Sequence, residues 1–178
     1  ISRKSENPSI TRDVSGEGAP LTPIFHQLIS TQKKIKLPVC ILNIGGISNI
    51  TLIKEPLGSL QIFSKDLGPG NCLIDTWIRK NSKFKFDRDG ILGSTGKKNE
   101  IIFEQAQELY SNRVDKKKVS FDISDFDISF SRGLSLEDGA ATLTDFTARI
   151  IADSISESLT KVNTLKEILV SGGGRKNI

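Results

Sequence analysis

The chain has 178 residues, is 37% hydrophobic and 26% charged, and so has the composition of a globular protein and not of a disordered or fibrous one. Its net charge of +4 comes from scattered bases, with a single run at Lys116-Lys117-Lys118 that reads as a solvated loop. One Trp and one Tyr give no basic stripe interleaved with aromatics, so nucleic acid is not an expected partner. No apolar run approaches the ~20 residues that a bilayer-crossing helix needs, so no membrane is expected either.

The length suits one domain or one domain plus an extension. The chain starts at Ile1, contains no Met, and begins with the polar stretch Ile-Ser-Arg-Lys-Ser-Glu-Asn-Pro, which lacks the apolar core of a secretory signal. These features lead us to expect a piece of a longer protein. Cys40 and Cys72 have no metal-ligand spacing and only His26 to join them. They read as two free thiols of a reducing, cytoplasmic setting, with Cys40 packed as a small hydrophobe.

Residues 1–38 are broken by Pro8, Pro20, Pro23 and Pro38 and by Gly16 and Gly18. They read as a connector whose first dozen residues are irregular, with one short helix near Pro23–Thr31. Residues 39–178 form the main unit. Val39–Ile44, Ile47–Ile53 and Leu60–Ser64 are short apolar runs separated by Gly45-Gly46 and by Pro56 and Gly58, which predicts an antiparallel three-strand meander. Asn71 is placed to cap a helix with Leu73, Ile74, Trp77 and Ile78 on one face. A polar, Gly-rich stretch over 80–98 follows, then a helix near Glu100–Asn112. Residues 113–134 read as a loop that packs Phe121, Phe126 and Phe130. Ser135 and Asp138 match an N-terminal capping pattern ahead of a long helix carrying Leu143, Phe146, Ile150, Ile151, Ile155 and Leu159. After a turn at Asn163-Thr164, Glu167–Ser171 reads as a strand ending in Gly172-Gly173-Gly174. The pattern is α/β: a mixed sheet that starts with a meander and is flanked by helices, its last strand–turn–helix unit incomplete.

Three glycine-rich segments can carry chemistry. Asn43-Ile-Gly-Gly-Ile-Ser-Asn49 is either a plain hairpin turn or a nest whose Gly45 and Gly46 N–H groups meet an anion. Asp66-Leu-Gly-Pro-Gly-Asn71 holds a sharp turn through Gly68, Pro69 and Gly70. Asp66 is there either a general base or an acceptor for turn N–H groups, and the helix start beyond is suited to negative charge. Gly172-Gly-Gly-Arg-Lys-Asn177 either lets a nucleotide lie on the backbone or is a flexible tail; it is neither a Walker A nor a GxGxxG pattern. The spacing of Asp87, Gly90, Gly93 and Gly96 does not reveal a role.

Together these segments resemble the phosphotransferase lobe of the actin/hexokinase-like ATPases, and more closely the anhydro-N-acetylmuramic acid kinase family. The resemblance rests on LNIGGISNIT at 42–51, DLGPGNCLIDTW at 66–77, D-x-x-G-x-x-G-x-x-G at 87–96, SLEDGAATLTDFTARIIAD at 135–153 and VSGGGRKN at 170–177, with GEGAPLTPIFH at 16–26. It implies an actin-like (ribonuclease H-like) second lobe over 39–178. It also implies a cytoplasmic, ATP- and Mg²⁺-dependent enzyme of cell-wall recycling that opens the anhydro ring of 1,6-anhydro-N-acetylmuramate and phosphorylates O6. By the same resemblance Asp66 is the base. Asn43, Gly45, Gly46, Asn49, Gly68, Gly70 and Asn71 face sugar or phosphate, and Gly172, Gly173 and Gly174 face the nucleoside, while no metal ligand is identified. The family's Gly-Thr-Ser-x-Asp-Gly loop is not in this sequence, Glu17 stands where Gln is usual, and Ser171 where Cys is frequent. A homodimer or a complementing lobe is the expected protein partner, and the missing loop makes a non-catalytic remnant, inactive by itself, the alternative reading.

Overall fold

A computed structural model describes residues 21–55, 60–113, 120–159, 165 and 167–177. The expectations for Gly16 to Pro20, Lys116–Lys118 and the turn at Asn163-Thr164 lie outside these residues. The meander forms as predicted, with β1 (Val39–Ile44), β2 (Ile47–Lys54) and β3 (Gln61–Pro69) pairing antiparallel in sequence order. The last strand, β4 (Ile168–Ser171), joins parallel to β1 with Asn43 opposite Ser171, which gives a mixed sheet of order β3-β2-β1-β4.

Helix α1 (Leu21–Gln32) covers one face of the sheet. That face buries Val39, Ile41, Ile53 and Ile62, and buried His26 reaches from α1 to the Thr51 hydroxyl at 2.8 Å. The other face buries Cys40, Leu42, Ile50, Leu52 and Leu67 beneath Ile151 of the long helix α5 (Leu136–Leu159). The alternation of apolar residues along β1 and β2 thus serves two layers, one on each side. Cys40 and Cys72 are buried free thiols.

A second core lies between α5 and α2 (Cys72–Asn81), with Trp77, Ile78, Leu143 and Phe146 at its centre. The Trp77 indole N–H donates to the Leu136 carbonyl at 2.9 Å. Gly139 faces that ring so closely that a Cβ there would sit 2.2 Å from Trp77 Cε2. Helix α4 (Glu100–Arg113) packs outside α5. The Ser135 hydroxyl accepts the Asp138 N–H as predicted, but the Asp138 carboxylate turns outward to accept Lys97 N–H at 2.7 Å.

Two local expectations change. The polar, Gly-rich stretch over 80–98, read as a loop, contains α3 (Ile91–Thr95), and the buried Asp87 carboxylate accepts the N–H groups of Leu92 and Gly93 at 2.9 and 2.8 Å. At Gly96 a Cβ would lie 2.1 Å from the Glu137 carbonyl oxygen. The Asp87–Gly96 spacing is therefore a packing device that seats this loop against the start of α5. Asn71 holds the N-cap position of α2, yet its side chain makes no capping bond; of the helix N–H groups, that of Cys72 goes to the Gly46 carbonyl in the β1–β2 turn.

Candidate active site

Strands β1, β3 and β4 all run toward the same edge of the sheet, because β2 is antiparallel to both of its neighbours and β4 is parallel to β1. The three glycine-rich segments therefore meet at that edge, the location where open α/β sheets place ligands. The joint between the first two is backbone to backbone. The N–H groups of Gly70, Asn71 and Cys72 donate to the carbonyls of Gly46, Gly45 and Gly46 at 2.9, 2.7 and 3.1 Å. A Cβ on Gly70 would stand 2.3 Å from the Gly45 oxygen. Of these donors only Cys72 belongs to α2, as its first residue, so the hairpin takes one N–H of the helix and two of the residues before it, and the two segments are locked together.

The third segment folds over the same joint. Gly172 has a left-handed φ of 86°, and a Cβ there would meet the Ile44 oxygen at 2.3 Å; one on Gly174 would meet Ile44 Cγ2 at 2.2 Å and Asn71 Oδ1 at 3.0 Å. The Ser171 hydroxyl lies 3.3 Å from both Asn43 Oδ1 and the Leu42 carbonyl. The residues after Gly172 form a short 3₁₀ turn, Gly173–Lys176, and not a loose tail. Beside it opens a cleft of about 710 Å³ bounded by Asn71, Asp75, Arg88, Gly173, Arg175 and Lys176.

These contacts sort the glycines by cause. Gly70, Gly172 and Gly174 lack a side chain because backbone or Ile44 fills the space, and Gly68, with φ of 144°, meets the Tyr110 hydroxyl and Ile150. Gly46 and Gly173 differ. A Cβ on Gly46 would find only Ile123 Cδ1 at 3.9 Å, and one on Gly173 only Asn71 Nδ2 at 3.5 Å. Packing does not demand glycine at these two positions, nor at Gly45, where a Cβ would lie 3.4 Å from the Ile47 carbonyl oxygen and 3.6 Å from Asn43 Nδ2, ordinary contact distances.

Asp66 lies inside β3, which continues through Pro69, so the sharp turn is confined to the residues after it. Pro69 is tolerated there because β3 is an edge strand and Pro69 is its last residue. Asp66 stands opposite Asn49, and Gly68 opposite Ser48, which leaves Leu67 as the extra residue of a β-bulge; bulges re-aim side chains beside sites. The carboxylate is half-buried, accepts the Phe121 N–H at Oδ2 (2.9 Å) and is hydrogen-bonded by the Ser120 side chain. Burial outweighs these two bonds and holds it above the usual carboxylate range. It borders a cavity of about 150 Å³ with Tyr110, Asp153 and Ser154. Burial pushes the Tyr110 phenol up to about 12. On β2 the Asn49 Oδ1 is buried and, among the described residues, has no hydrogen-bond partner.

Among the described residues no group of three or more His, Cys, Asp or Glu side chains gathers as a metal cage. Sequence reasoning singled out the three segments that meet here and Asp66 beside them. It missed Ser120, Phe121 and Tyr110, because nothing in a Ser/Asp-rich loop or a surface helix signals contact with a strand some 50 residues away.

The model of the family described as "Anhydro-N-acetylmuramic acid kinase" matches residues 10–178. Relatives of that same name include the Pelagibacter ubique protein, 50% identical over 164 residues, which are 92% of this chain and 44% of the relative. The Zymomonas mobilis protein is 38% identical over 165 residues (92% and 42%) and the Legionella pneumophila protein 34% identical over 176 residues (94% and 45%). The chain thus spans less than half the length of the curated relatives it matches. With the family model covering nearly all of its residues, the chain belongs to the anhydro-N-acetylmuramic acid kinase family.

Proposed function

We propose that this chain carries the base and the nucleoside-facing half of an ATP-dependent kinase acting on 1,6-anhydro-N-acetylmuramate. The observation that carries the reading is the meeting of three glycine-rich segments at one sheet edge, with Asp66 on the strand that leads into them. Residues 39–178 then act as the second lobe of an actin-like enzyme and residues 1–38 as its connector. The opposing lobe would correspond to the remaining length of the relatives, and a homodimer would be a separate association.

In this reading a water between Asp66 and the sugar gives its proton to the carboxylate as its oxygen attacks the anomeric carbon. The bond from that carbon to O6 breaks, and O6 takes the γ-phosphoryl group of ATP, releasing ADP. The raised proton affinity of Asp66 suits a base that must hold the proton it receives. The orphaned Asn49 Oδ1 supports a hydroxyl donor nearby, since a buried acceptor left unpaired costs roughly 1–3 kcal/mol. Gly45, Gly46 and Gly173 leave room for phosphate and nucleoside, and Asn43, Gly68, Gly70, Asn71, Gly172 and Gly174 fix the frame around them. Mg²⁺ would arrive on the phosphates and offset their charge. The setting is cytoplasmic, and among the described residues no helix is long and apolar enough to cross a membrane.

The test is a chimaera in which this chain replaces the matching segment of the Pelagibacter ubique relative. It should convert the anhydro-sugar and ATP to the sugar 6-phosphate and ADP, and Asp66→Asn should reduce turnover by at least about a hundredfold, as loss of a general base does. Undiminished turnover in Asp66→Asn would remove the assignment.

A further inference from the structure

The segment after α4 contains the groups that hold Asp66, and it belongs to none of the motifs the sequence singled out. Phe121 N–H donates to Asp66 Oδ2 at 2.9 Å, and the Ser120 side chain bonds the same carboxylate. The backbone just beyond is fixed by a capping box: Asp122 accepts the Ser124 N–H, and Asp125 accepts the Asp122 N–H at 2.7 Å. A chain of rings ties the segment to the core. Phe121 meets Phe126 at 5.6 Å, Phe126 stacks on Tyr110 at 6.3 Å, and Tyr110 stands edge-on to Phe146 of α5 at 5.9 Å. The Tyr110 hydroxyl in turn closes on the Gly68 backbone, two residues beyond Asp66.

We infer that Ser120 and the Phe121 backbone are a positioning clamp for the Asp66 carboxylate, holding it by two donors so that its remaining acceptor sites serve the proton it takes. An ionised carboxylate offers about four lone-pair sites, so two donors leave room for a water. The inference rests on the kinase reading for its catalytic meaning, but the clamp itself is a property of this chain. The titratable and charged groups bordering the same cavity are Lys65 on β3, Tyr110 on α4, and Asp153 and Glu157 on α5. None of them belongs to the clamp, so a response confined to Ser120 substitutions isolates it.

The experiment is an NMR titration of the Asp66 carboxyl carbon in the full 178-residue chain, with the amide signal of Phe121 followed in parallel. In the wild type the Phe121 amide should move with the Asp66 midpoint. Ser120→Ala removes a donor to the charged form and should shift that midpoint upward, while Ser120→Thr, which keeps the hydroxyl, should restore it. A Phe121 amide that ignores the Asp66 titration would overturn the clamp, even if Ser120→Ala fails to fold. So would an unmoved midpoint in a folded Ser120→Ala chain. If the clamp responds as expected while the Asp66→Asn chimaera keeps its turnover, the kinase reading falls and the clamp stands. Loss of turnover with no response at Phe121 or Ser120 sinks the clamp alone.

Discussion

Asp66 pairs a function with a penalty. Its carboxyl is held above the usual range chiefly by burial, so the folded state binds the proton more tightly than the unfolded chain does. Stability then falls as pH rises from about the unfolded value of 3.8 through the folded one. Asp66→Asn keeps an acceptor for the Phe121 N–H and removes the charge. It should therefore melt at a higher temperature than the wild type at pH 7, with the difference vanishing below pH 3.8, as calorimetry over a pH series would show. His26 works in the opposite direction. Burial lowers its pKa below 6.5, so the folded state holds it neutral against Thr51. Stability is complete above that value and is lost as pH drops from 6.5 toward the folded pKa. Replacing it by Gln should flatten this part of the stability–pH curve; an unchanged slope would remove His26 as its source. At Gly70 the issue is space: a Cβ 2.3 Å from the Gly45 oxygen must push the two turns apart. Gly70→Ala should cost about 2 kcal/mol or more in a urea melt, in line with overpacking against rigid neighbours.

At the scale of elements, legibility followed the range of the forces involved. The meander and α5 were readable because alternation, helical spacing and the Ser135 cap are written into consecutive residues. Helix α3 was not, since five residues ending in Ser and Thr have little helical drive of their own and Asp87 must bring its carboxylate to their N–H groups. The extension of β3 through Pro69 was hidden because Gly68-Pro69-Gly70 reads locally as a turn, whereas pairing with β2 keeps it extended. Asn71 was read as a side-chain cap, whereas its own N–H and that of Cys72 are held by the hairpin's carbonyls, a long-range contact no local pattern announces. The junction of α2 and α5 gives a direct check. Gly139→Ala drives a methyl into Trp77, the sole tryptophan, so the variant should lose about 1–3 kcal/mol and shift the intrinsic fluorescence. A wild-type spectrum and stability would mean that α2 and α5 are not packed ring to backbone.

For the whole molecule, the site exists because one parallel pairing, β4 on β1, brings residues 172–174 to the edge where the meander already places 45–46 and 70–71. The motifs were visible in the sequence one by one. Their meeting was not, since it depends on a register set by Asn43 and Ser171, far apart in the chain. Which glycines serve packing and which leave open space was likewise invisible: close neighbours account for Gly68, Gly70, Gly172 and Gly174, and not for Gly45, Gly46 and Gly173. The central claim is that Asp66 directs water to the anomeric carbon while O6 leaves to the phosphoryl group. Oxygen-18 water supplied to the chimaera tests this by mass spectrometry of the product, reduced at once to lock the anomeric oxygen. The account predicts one solvent oxygen on the former anomeric carbon, none in the phosphate group, and loss of the labelled product in Asp66→Asn. Label in the phosphate group, or undiminished labelled product without the Asp66 carboxylate, would contradict it.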